Sequence, residues 1–136
     1  MSLDIQETER EGITILALKG RLTVGEASSL REKVNDAVAQ GHRNFILDLG
    51  GVDYIDSTGL GSMVICYTTV KKAGGATKLL KLNKRNIELL VLTKLHTIFE
   101  VFADEQDAVN SFFPDRKITK FDILSFVQEQ QEEPDA

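Results

Sequence analysis

The chain has 136 residues, 42% of them apolar, which suits one domain with a proper core and leaves little room for a second. Its formal net charge of −5 argues against a general nucleic-acid grip, which needs a basic surface, but leaves open an acidic face that meets a basic partner. Cys66 is the only cysteine, so no intramolecular disulfide can form; with no apolar run near the roughly 18 residues of a membrane span and no signal-peptide pattern at Met1 to Ile5, a cytoplasmic protein without membrane insertion is predicted.

Ile13, Thr14, Ile15, Leu16, Ala17 and Leu18 form a β-branched, apolar run that predicts a strand, with residues 5–9 as a short partner ahead of Gly12. Gly20 breaks the pattern. From Glu26 the period changes. Ala27, Leu30, Val34, Ala37 and Val38 recur at helical spacing, and Gly41 stops that helix. Residues 45–49 are a short apolar run that fits a buried strand, and Gly50-Gly51 marks a turn. A second helix starts near Ser57, carries Leu60, Met63, Val64, Tyr67 and Val70 on its inner face, and ends at Gly74-Gly75. Residues 78–82 read as a strand, 86–93 as a short helix, 98–102 as a strand and 104–112 as a helix. Strands that alternate with helices predict an α/β fold. The expectation is a mixed, largely parallel sheet with about four helices, its antiparallel part supplied by the opening hairpin.

The segment with the most chemistry is Asp53-Tyr54-Ile55-Asp56-Ser57-Thr58-Gly59-Leu60-Gly61, between a buried strand and a helix. Ser57 falls where a helix N-cap belongs, and a serine there accepts a bond from an otherwise unpaired backbone N–H. The same place also suits a phosphate, because a helix start has free N–H donors and the positive end of the dipole. Position alone does not choose between these two readings.

Asp56-Ser57-Thr58-Gly59-Leu60-Gly61, after the apolar strand, resembles the signature of the STAS-type bacterial anti-sigma factor antagonists. The resemblance extends over roughly residues 5–113. It includes Gly20-Arg21-Leu22, Gly74-Gly75, Leu92-Thr93-Lys94-Leu95 followed by Ile98-Phe99, and the helix start at Asp104. It implies a STAS-like fold and a binding switch that is not an enzyme. On this resemblance, the unphosphorylated form binds a serine-kinase anti-sigma factor and frees a sigma factor. Phosphorylation at Ser57 switches that binding, and a metal-dependent serine phosphatase restores it. The partner-binding residues it implies are Thr23, Asp56, Ser57, Thr58, Gly59, Leu60 and Gly61. Thr23 is a departure: many members of the switch subfamily carry an aspartate there. The alternatives are a non-switching scaffold subunit of a larger signalling or transport complex, and a nucleotide-hydrolysing enzyme.

Other candidates point elsewhere. His42 and His96 are far apart and lack companions at metal-ligand spacing, so no metal site is expected. Asp48, Asp53 and Asp56 read as turn and cap residues, and Cys66 as a buried thiol. No Gly-x-Ser-x-Gly elbow, dinucleotide fingerprint or phosphate loop is present, and no cofactor is expected. Residues 1–113 are read as the domain and 114–136 as an extension, with a helix over 118–127 and then a disordered acidic tail. Ile118, Phe121, Ile123, Leu124, Phe126 and Val127 are too dense for a free linker. They are spread around a helix, so the segment is expected to fold onto its own domain or, alternatively, onto a second copy or a partner.

Overall fold

In the computed structural model, which describes residues 3–119 and 121–132, the chain opens with a hairpin. Strand β1 (Asp4–Arg10) runs antiparallel to β2 (Ile13–Leu22). Glu11 and Gly12 between them both take positive φ (53° and 83°), the pairing that a tight two-residue hairpin turn requires. Helix α1 (Ala27–Ala39) then leads to β3 (Asn44–Ile55), and α2 (Ser57–Lys72) to β4 (Ala76–Leu80). Helix α3 (Lys84–Leu92) and a 3-10 turn (Leu95–Thr97) lead to β5 (Val101–Phe102), followed by α4 (Glu105–Asn110) and α5 (Ile123–Glu132). The sheet order is β1-β2-β3-β4-β5, and every pair after the first is parallel. The expected mixed, largely parallel α/β sheet is therefore present, with five helices including the one in the extension.

Side-chain alternation divides the apolar residues between the two sheet faces. Leu16, Leu18, Leu47 and Leu49 point into the larger core beneath α1, α2 and α3, together with Leu30, Val34, Met63 and Ile87. Ile13, Ile15, Ile46, Leu80 and Phe102 fill a smaller core under Ala108 and Val109 of α4.

Two strands run further than the sequence suggested. β2 continues through Gly20, whose φ of 120° absorbs an irregularity in the pairing with β3. Gly50-Gly51 makes no turn. Ala17 pairs with Asp48 but Lys19 pairs with Gly51, so the glycines take up a bulge inside β3. A Cβ on Gly51 would sit 2.9 Å from the Leu18 carbonyl oxygen.

The helix in the extension spans Ile123–Glu132, not 118–127. Asp122 sets its start: one carboxylate oxygen accepts the Ser125 N–H at 3.0 Å, and its backbone carbonyl accepts the Phe126 N–H. Residues 128–132, expected in the disordered tail, continue the helix; the rest of that tail lies outside the described residues. Phe121, Ile123, Phe126 and Val127 pack on the larger core and Ile118 on the smaller one. Arg116 clamps Glu11 through two hydrogen bonds (2.7 and 2.9 Å) and lies over the Phe113 ring.

Candidate functional site

In a parallel sheet the strands end, and the following helices begin, at one edge, which gathers their loops there. Here that edge carries the loop after β2 (Thr23, Val24, Gly25, Glu26), the start of α2 and the start of α3. Backbone bonds fix them to one another. The Asp56 N–H donates to the Leu22 carbonyl at 3.2 Å. Asn86, buried, donates its amide to the Val52 carbonyl at 3.1 Å and thereby holds the start of α3 against β3.

The cap of α2 is Asp56, not Ser57. Asp56 has the extended backbone of a cap residue (φ −96°, ψ −178°), and its Oδ1 accepts the Gly59 N–H at 2.8 Å. Aspartate and serine cap equally well, so the residue with extended backbone takes the role and Ser57 becomes the first helical residue. The other carboxylate oxygen accepts the Val24 N–H at 3.1 Å, so one side chain ties the β2–α1 loop to the helix start. Thr23 is half-buried, and its hydroxyl donates to Glu26 within the same loop at 2.9 Å.

The predicted site residues separate by exposure. Ser57, Thr58 and Gly61 are exposed, and the Ser57 hydroxyl has no hydrogen-bond partner among the described residues. Gly59 and Leu60 were expected to meet a partner but are buried. Leu60 belongs to the core, and a Cβ on Gly59 would fall 2.1 Å from the Leu22 carbonyl oxygen. These two residues position the helix start and do not present side chains outward. Residues that the sequence did not assign to the partner-binding set share the same edge. Val24 is 73% exposed, an unusual setting for a valine. Tyr54 carries the Arg85 guanidinium 4.1 Å from its ring centroid and that of Arg21 at 4.9 Å. Spacing gives no signal for that stack, because Arg85 reaches it from a different element.

The remaining candidates have local roles. Asp48 accepts the Gly50 N–H at 3.0 Å within the bulge, and His42 is bonded to the Thr14 hydroxyl. Among the described residues no group of His, Cys, Asp and Glu could hold a metal ion, and no helix is long and apolar enough to cross a membrane. Cys66 is buried in α2, and that burial pushes its thiol up to about 12 despite the opposing pull of Arg31.

Residues 4–108 match the STAS domain family. The chain is 34% identical over 109 residues to the anti-sigma-B factor antagonist of Bacillus subtilis (strain 168), a match that covers 80% of this chain and 99% of that protein. An anti-sigma factor antagonist from Mycobacterium paratuberculosis has a similar fold (TM-score 0.72, 19% identity), over 80% of this chain and 92% of the other. The Bacillus cell fate determinant SpoIIAA in its phosphorylated form also shares the fold, with a TM-score of 0.64 at 20% identity over 80% of this chain and 99% of that one.

Proposed function

Since the chain belongs to the STAS domain family, we propose that it is an anti-sigma factor antagonist switched at Ser57. Its unphosphorylated form binds a serine-kinase anti-sigma factor in the cytoplasm and so frees a sigma factor. The kinase phosphorylates Ser57, the complex parts, and a metal-dependent serine phosphatase returns the binding form. The chain acts as a binding protein and carries no catalytic residue of its own.

The observation that carries this reading is the exposed, unbonded hydroxyl of Ser57 on a helix turn that Asp56 already caps. A phosphoryl group placed there removes no existing hydrogen bond. It adds about −1.5 to −2 charges at pH 7. The positive end of α2 accommodates that charge, so the fold survives and the change falls on the partner. Exposed Thr58 and Gly61, with the Asp56 carboxylate and the Thr23–Val24 loop, form the surface around it. The antagonist relatives named above support the same reading.

The test is phosphorylation of the purified chain by its anti-sigma factor kinase with ATP, followed by peptide mapping and a binding assay. One phosphoryl group on Ser57, none on Ser57→Ala, and loss of kinase binding after modification are expected. Wild-type incorporation into Ser57→Ala, mapped to a residue other than Thr58, would sink the assignment. A non-switching scaffold would show no phosphate on Ser57 at all.

A further inference from the structure

Arg21 ends the exposed part of β2 and pairs in register with Tyr54 at the end of β3. Arg85 reaches the same ring from the first turn of α3. Both arginines are exposed. Among the described residues neither forms an ion pair or donates a hydrogen bond. A guanidinium held on an aromatic face keeps its N–H edge free, and that planar fork matches a carboxylate. Two such forks on one tyrosine, with no internal partner, stand out in a chain of net charge −5.

Their placement also works against α3 itself. Lys84 and Arg85 occupy its first turn, which has no acidic residue. Cations at that end oppose the helix dipole. The cationic patch lies at the same edge as the start of α2, because Arg21 directly precedes Leu22, whose carbonyl accepts the Asp56 N–H. Val24, 73% exposed, lies between them in sequence, and its backbone N–H donates to the Asp56 carboxylate.

We infer that Arg21 and Arg85, stacked on Tyr54, form the docking point for an acidic face of the protein partner. The inference rests on the antagonist reading above and gives that partner a charge. It also supplies a reason for release. A partner that brings carboxylates to this edge is repelled when a phosphate dianion appears on Ser57, whereas a basic partner would be drawn in.

The test measures binding of the unphosphorylated chain to the anti-sigma factor kinase that phosphorylates it. R21E, R85E and the double variant are compared with K72E, a reversal at the far end of α2. The double variant is expected to bind about 10- to 100-fold more weakly, K72E to bind as wild type, and all to keep the wild-type circular dichroism spectrum. Higher salt is expected to weaken the wild-type complex. Wild-type affinity in the double variant would overturn the inference and leave the antagonist reading standing. If no kinase engages the chain, the antagonist reading falls, and titration with an oligoglutamate peptide decides the arginine patch alone. Resonance shifts at the Arg21 and Arg85 side chains with oligoglutamate, and none with oligolysine, support it. No shift with either peptide overturns it.

Discussion

At Asp56 one carboxylate serves two backbones, capping α2 at Gly59 and holding Val24 of the preceding loop. Asp56→Ala is therefore expected to cost about 1–2 kcal/mol, the upper part of the range for a lost cap. Ser57→Ala should stay within about 0.5 kcal/mol, as for an exposed residue without partners. Urea unfolding of the two variants checks the order, and a larger loss for Ser57→Ala would refute the cap assignment. Gly59 has the stricter requirement. Gly59→Ala puts a methyl carbon 2.1 Å from the Leu22 carbonyl oxygen, so a loss of about 3 kcal/mol or more is expected. A variant that melts within a degree or two of wild type would show that the contact relaxes freely. The sequence marked this segment out but misplaced its cap by one residue, because Asp56 and Ser57 are adjacent and both cap well. Only the extended backbone at Asp56 separates them.

Among the elements, residues 45–49 announced a buried strand through four apolar residues interrupted only by Asp48. Its continuation to Ile55 was hidden, because two glycines signal a turn and a bulge equally well. The strand pairing with β2 decides that case, and it lies outside any local window. The extension was legible as apolar but not in its bounds. Pattern alone began the helix at residue 118, whereas the Asp122 cap begins it at Ile123. Phe121, Ile123, Phe126 and Val127 are each only partly buried on the larger core. Removing residues 116–136 is thus expected to lower stability by about 2–4 kcal/mol, since each side chain supplies part of the roughly 1.5–3 kcal/mol of full burial. The shortened protein should also bind more hydrophobic dye. Unchanged melting and dye binding would show that the segment contributes nothing to the fold.

On the scale of the whole molecule, pH acts through groups of opposite behaviour, of which Cys66 and Glu11 are examples. The Cys66 thiol is raised from 9.0 to about 12, so the folded state keeps its proton longer than the unfolded chain does. Stability from this source is intact below pH 9.0 and falls as pH rises through about 12. Equilibrium unfolding across that window should show an alkaline decline that Cys66→Ala flattens; equal slopes in both proteins would contradict it. Glu11 behaves the other way. The Arg116 hydrogen bonds hold its carboxyl below 4.5, so the contribution is present above that pH and lost as pH falls through the folded value. Arg116→Gln should separate from wild type at neutral pH and rejoin it in acid. The same clamp joins the hairpin tip to the extension, closing the end of the sheet away from the loops. At the opposite end, the antiparallel course of β1 sets Asp4 beside Lys19, only two residues before Arg21 on the neighbouring strand. A tag or fused domain attached ahead of Asp4 would emerge against the edge proposed to face the partner and shade it. One attached beyond Glu132 would leave from α5, an element that packs on α3 and forms no part of the sheet. The orientation of any affinity handle is then a variable of the binding experiment, and immobilisation through the N-terminus would report a weaker complex than the free chain forms.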